Sequence, residues 1–206
     1  MNYQLFRQKL SDFAVFSLAD IHKAVGVTFD HRRLVEWQAK GYIRKIIRGF
    51  YMFADTPVDE NIRFETANKV YAPSYISLES ALAHYNFIPE SIYAVTSIST
   101  RRTTVFDTGS GIFSYRSVKP SLFFGDVVLN LTGRPIRMAS PEKAALDYLY
   151  LHTDVDSLDA AQSLRWNPTE FNARVNRGVL NDYAAKFNHK ALNRRLSLIL
   201  EVMTYA

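Results

Sequence analysis

Apolar and polar positions alternate in two distinct rhythms along the chain. From Phe16 to Gly26 the run Phe-Ser-Leu-Ala-Asp-Ile-His-Lys-Ala-Val-Gly has the spacing of a short helix. Ser17 is placed to cap it, with Asp20 three residues on in a capping-box position, and Gly26 to stop it. A second helical stretch runs from Thr28, its expected cap, to Gly41, its expected end. Val27, Leu34 and Trp37 share one arc of that helix, the inward one. Phe29, Arg32, Arg33, Glu36 and Lys40 fall on the opposite side, where Phe29 either faces solvent or meets another part of the protein. Tyr42–Ile46 and Phe50–Phe53 are rich in strand formers, and Arg48-Gly49 makes a hairpin tip between them. Asn2–Leu10 reads as a lead-in helix.

Helix, turn, helix and ribbon in that order predict a winged helix, which lays its second helix in the DNA major groove. Charge agrees with this. Residues 1–53 hold nine bases against four acids, a surplus equal to the +5 of the whole chain. The other residues balance to zero. A basic head on a neutral body is the pattern of a polyanion-binding module joined to a part with a different task. Arg32 and Arg33 are expected to read base edges, and Arg44, Lys45 and Arg48 to meet phosphates. The expected DNA-binding set is therefore Thr28, Arg32, Arg33, Lys40, Arg44, Lys45 and Arg48. A solvated helix face, or a winged helix used for protein contacts, is the competing interpretation.

The polar stretch Ala54–Glu60, with Pro57, marks the expected boundary between a head at 1–55 and a body at 56–206. Asn61–Tyr71 has helical spacing and ends before Pro73. Ser77 is the expected cap of a compact helix through Tyr85, whose Ser80, Ala81 and Ala83 suit close packing on a sheet. Short β-rich runs follow at Ile92–Ile98, Thr103–Phe106, Ile112–Val118, Leu122–Leu131 and Ile136–Met138, and predict an antiparallel meander. Ser140-Pro141-Glu142 starts a helix that is apolar nearly all round and so buried, with Asp147 a hydrogen-bonded core carboxylate inside it. Helices are expected over Leu158–Leu164, Thr169–Asn176 and Asp182–Met203, the last with a ladder of Lys186, Lys190 and Arg194 on a solvated face. The fold class is α+β.

Composition narrows the chemistry. There is no Cys, which removes disulfides and thiolate metal sites and suits a reducing, cytoplasmic setting. No signal peptide and no apolar run of membrane-spanning length are present. The five His form no pair at ligand spacing in sequence, no phosphate-binding glycine motif occurs, and no metal or cofactor is expected. Asp107-Thr108-Gly109-Ser110 is similar to an aspartic-protease loop, but such chemistry needs two carboxylates, and the sequence equally makes a hairpin turn. Glu142-Lys143 lacks the spacing of a nuclease site. The chain does not read as an enzyme.

Three stretches together resemble the AbiEi-type antitoxins of abortive-infection (type IV) toxin–antitoxin systems. They are Ala139-Ser140-Pro141-Glu142-Lys143-Ala144-Ala145-Leu146-Asp147, Tyr75-Ile76-Ser77-Leu78-Glu79-Ser80-Ala81-Leu82, and the ribbon pieces Lys40-Gly41-Tyr42-Ile43 and Arg48-Gly49-Phe50-Tyr51. The resemblance spans about Phe16 to Leu151. It implies a winged helix that represses its own promoter on double-stranded DNA, as a single chain or a homodimer. It also implies a body that counters a nucleotidyltransferase-like toxin, by contact or by opposing its effect on a shared target. The alternative is a stand-alone regulator whose body senses a ligand or dimerises.

Overall fold

A computed structural model describes residues 1–90, 93–131 and 133–205. The chain is mixed α+β. It opens with helix α1 (Tyr3–Lys9), a short strand β1 (Phe16–Ser17), helices α2 (Leu18–Val25) and α3 (Arg32–Ala39), and the ribbon β2 (Ile43–Ile47) and β3 (Phe50–Phe53). The three strands pair antiparallel in the order β1-β3-β2. The first strand is too short to stand out in the sequence, yet it seats α2 on the ribbon through Phe16 opposite Tyr51.

The local signals explain most of these boundaries. Ser17 and Asp20 form the reciprocal capping box of α2, and Gly26 ends it at positive φ. At the end of α3, Gly41 takes a positive φ and Tyr42 N–H donates to the Trp37 carbonyl at 2.9 Å, a Schellman closure. Thr28 caps nothing, because α3 starts four residues later. Phe29 has to stack on Phe6, 5.4 Å away, and the chain turns rather than coils to bring it there. Asp30 then receives the Arg32 N–H at 3.0 Å, the service assigned to Thr28 from sequence. The late start also spoils the helical arc for residues 27–31. Val27 is 81% exposed, and Phe29 turns inward onto Phe6 and Trp37.

Helix α4 (Glu60–Val70), capped by Asp59, leads into the body. The body's sheet has six strands: β4 (Ser74–Ile76), β5 (Ala94–Ser99), β6 (Thr104–Thr108), β7 (Gly111–Ser117), β8 (Asp126–Leu131) and β9 (Arg134–Ala139). Their order is β6-β7-β5-β4-β9-β8, with β5/β7 and β4/β9 parallel. The expected antiparallel meander is therefore wrong. Three-residue β4, absent from the sequence reading, inserts between β5 and β9 and separates neighbours that a meander would pair. Ile92, the expected first residue of the strand seen as β5, lies outside the described residues. Residues 122–125 precede β8 as a 3-10 turn and loop rather than strand.

Helix α4 covers one face of this sheet, where Tyr115 donates its hydroxyl to the Ala67 carbonyl. Helices α5 (Leu78–His84) and α6 (Pro141–Leu151) cover the other, followed by α7 (Leu158–Ser163), α8 (Pro168–Arg174), α9 (Arg177–Phe187) and α10 (Lys190–Tyr205). The single helix expected over Asp182–Met203 is two. Asn188 adopts a left-handed conformation that Asn tolerates, and His189 Nδ1 caps the new helix at Leu192. The expected ladder is thus split: Lys186 lies near the rings of Phe124 and Tyr183, while Lys190 opens α10.

The apolar interior forms two clusters. A small one gathers Phe6, Leu10, Phe16, Ile21, Leu34, Trp37, Ile43 and Phe53. A large one fills the body and also takes Ala14, Val15, Ile46 and Met52 from the first 53 residues. Alternation along the ribbon sends Ile43 and Phe53 one way and Ile46 and Met52 the other, so the ribbon is a wall common to both clusters.

Candidate nucleic-acid interface

Helix α3 buries Leu34 and Trp37 and turns outward Arg32, Arg33, Val35, Ala39 and Lys40. Arg32 is 91% exposed and donates from Nε to Asp30 at 3.1 Å. Arg33 and Lys40 both reach Glu36, at 3.0 and 2.7 Å. Hydrogen bonds from Lys40 and Arg33 hold Glu36 below the usual carboxylate range, and the Arg32 side chain does the same for Asp30. These ion pairs lie in water, where such contacts are weak and salt-screened, so the cations are detachable. Val35, 68% exposed, sits one turn on from Arg32, an apolar spot of the kind that meets a thymine methyl. Val35 lies outside both arcs that the sequence assigns to this helix.

Lys45 and Arg48 on the ribbon are exposed, Arg48 at the tip beside Gly49 at positive φ. Arg44 differs. Strand alternation pairs it with Met52 on the face toward the body, where Nη2 reaches the Thr56 carbonyl at 3.3 Å and Met52 Sδ at 3.1 Å. Its guanidinium ties the ribbon to the segment after it. Thr28 is exposed in the turn before α3. Of the seven expected residues, five (Arg32, Arg33, Lys40, Lys45 and Arg48) project cations into solvent from α3 and the ribbon.

The sequence spacing concealed one contact. His22 on α2 and His31, just before α3, face each other with Nε2 atoms 3.0 Å apart. One ring's N–H must meet the other's lone pair, so the bond links the two helices across the turn. Among the described residues, no group of three or more His, Asp or Glu could hold a metal ion, and no helix is long and apolar enough to cross a membrane.

The other two motifs meet inside the body. Lys143 and Asp147, one turn apart on α6, form a fully buried ion pair. Asp147 also accepts from the hydroxyls of Tyr75 at 3.0 Å and Ser77 at 2.9 Å. Burial drives Asp147 above its usual range and Lys143 below its own, against their mutual attraction. Ser77 therefore does not cap α5 as expected. The Thr96 hydroxyl on β5 accepts the Ser80 N–H at 3.0 Å in its place. Ser140 caps α6 through the Lys143 N–H and donates its hydroxyl to Glu142, which in turn accepts the Asn176 N–H at 2.8 Å. Each polar group is hydrogen-bonded to the frame around it. Asp147 is the hydrogen-bonded core carboxylate expected. Asp107-Thr108-Gly109-Ser110 is the β6–β7 hairpin tip, with Thr108 donating to the Gly111 carbonyl.

No protein-family model matches this chain, and no curated protein matches it.

Proposed function

We propose that this chain is a DNA-binding autorepressor and antitoxin of a type IV, AbiEi-like operon, with a winged helix at its N-terminus. The observation that carries the DNA half is the set of five solvent-facing cations on α3 and the ribbon of a helix-turn-helix-ribbon unit. In this assignment α3 enters the major groove, with Arg32 and Arg33 at base edges. Lys45 and Arg48 bind phosphate, and Arg44 braces the ribbon. No step calls for a catalytic group, metal or cofactor.

The antitoxin half rests on the family resemblance. Its support is that the residues carrying the likeness, Tyr75, Ser77, Ser140, Glu142, Lys143 and Asp147, join in one connected hydrogen-bonded frame. Such residues maintain a body; the surface that opposes a nucleotidyltransferase-like toxin is then built on it. The alternative is a stand-alone regulator whose body senses a ligand or dimerises.

The test uses the full chain. Titrated onto a fragment bearing its own promoter, it should bind with an affinity that falls steeply with salt. Absence of binding at low salt would end the repressor claim. Co-expression with a nucleotidyltransferase encoded beside it, read as growth, separates the alternatives. A Lys45→Ala/Arg48→Ala variant should lose repression and keep protection; failure of the unaltered chain to protect would leave the stand-alone regulator.

A further inference from the structure

A groove of about 420 Å³ opens between α4, α5 and the start of β5, within the size range of small-ligand sites. Glu60, Arg63 and Phe64 from the first turns of α4 line it, with His84 at the end of α5 and Asn86 and Glu90 beyond. Neighbouring charges are engaged: Glu79 with His152, Lys69 with Asp20, Arg174 with Glu170. Among the described residues, the side chains of Glu60, Arg63 and Glu90 enter no ion pair or hydrogen bond, and Arg63 Nε is buried with no acceptor. A shielded guanidinium N–H without a partner is rare and asks for an acceptor from outside the chain. The arginine stem passes close to Gly111, where an added Cβ would come within 3.3 Å of Arg63 Cδ. His84 stands edge-on to Phe64 at 6.3 Å, and burial keeps its ring below its usual pKa and so neutral at pH 7.

We propose that this groove binds a basic α-amino acid of the arginine or lysine type. Its carboxylate meets Arg63, its α-ammonium and distal cation meet Glu60 and Glu90, and its aliphatic stem lies along Ala83 and Ala94. Charge selects this class. Two carboxylates and one guanidinium complement two cations and one carboxylate. A diamine would set a cation against Arg63, and an acidic amino acid would bring a second carboxylate with one guanidinium to receive both. None of the lining residues belongs to α3 or the ribbon, so the site stands or falls apart from the DNA assignment.

Equilibrium dialysis of the full chain against labelled L-arginine tests it, with L-lysine, L-glutamate and putrescine as competitors. The expected result is saturable binding at one site per chain, displaced by L-lysine and by neither of the others. Arg63→Gln and Glu60→Gln should each weaken it by about tenfold or more, a loss of one decade in Kd. Glu60 is exposed and unpaired, so Glu60→Gln keeps the fold and its unfolding temperature. Absence of saturable binding at millimolar concentration would overturn the proposal. So would displacement by putrescine or glutamate as effective as that by lysine, or affinity unchanged in both variants.

Discussion

Two helices in this molecule carry a lysine–carboxylate pair at the same four-residue spacing in opposite surroundings. Glu36 and Lys40 on α3 join one turn apart in open water, and Lys143 and Asp147 on α6 join one turn apart with no exposed surface at all. In water the pair is screened and exchangeable, so Lys40 is free to take a phosphate, or Glu36 a base amino group, instead. In the core the pair has no substitute for its partner, and Tyr75 and Ser77 complete the shell of Asp147. One arrangement suits a surface that changes partners. The other suits a frame that must not.

The largest expected effect breaks the buried pair. Lys143→Met leaves a lone carboxylate in the core and should destabilise the protein by about 3–5 kcal/mol in denaturant unfolding. Lys143→Met/Asp147→Leu should recover part of that loss, because no uncompensated charge remains. Lys40→Met should leave the unfolding midpoint where it was. Equal destabilisation by Lys40→Met and Lys143→Met would erase the contrast.

Next in size is the division among the ribbon cations. Arg48→Ala should weaken DNA binding for all sequences and flatten the salt slope by about one, without changing stability. Arg44→Ala should do the reverse, lowering the unfolding midpoint through the lost tie to Thr56 while the salt slope holds. A flattened slope in Arg44→Ala would put that guanidinium back among the phosphate contacts.

Glu36→Gln sharpens the comparison at smaller scale. It frees Arg33 and Lys40 and removes a negative charge facing DNA, so affinity should rise severalfold with stability nearly unchanged. Weaker binding would mean that Glu36 itself reads a base.

The smallest effect is in the intermediate zone, at half-buried His152 and Glu79, 3.3 Å apart. The hydrogen bond to Glu79 raises His152 despite its burial. Against its own burial, Glu79 is lowered by His152. A raised histidine stabilises below its ordinary value and loses that contribution as pH rises through the folded one. A lowered carboxylate stabilises above its ordinary value and loses that contribution on acidification. The pair is therefore at its strongest between roughly pH 4.5 and 6.5. His152→Gln should cost more stability at pH 6 than at pH 8.5, and a pH-independent difference would show that stacking on Tyr148, 3.8 Å away, is what matters.

What the sequence disclosed and what it hid divide along physical lines. Local chemistry was legible: the Ser17–Asp20 box, Gly26, Gly41, the Arg48-Gly49 tip and the Ser140-Pro141 start are all signals within four residues of their effect. Long-range pairing was not. Nothing near Ser74–Ile76 reveals that three residues will enter the middle of a sheet between partners about 20 and 60 positions away. Ser77 looked like a cap because caps are local, and it failed as one because Asp147, seventy residues on, claims its hydroxyl. The same limit applied at the surface. Arg44 was grouped with Lys45 and Arg48 by charge, when strand alternation alone separates Arg44 from its neighbour. The His22–His31 contact crosses a turn whose course depends on where Phe29 packs.

The ribbon's double duty bears on how such a chain can diversify. Recombination that joins the head of one relative to the body of another finds an inviting crossover in the polar stretch after Phe53. Yet Ile46 and Met52 belong to the interior of the body, while Ile43 and Phe53 belong to that of the head. A chimera joined there inherits half of a foreign interior wall. Under the proposed DNA assignment, new specificities are more accessible through point changes on the outer face of α3 than by exchange of whole heads, and the unit of inheritance is larger than the unit of recognition.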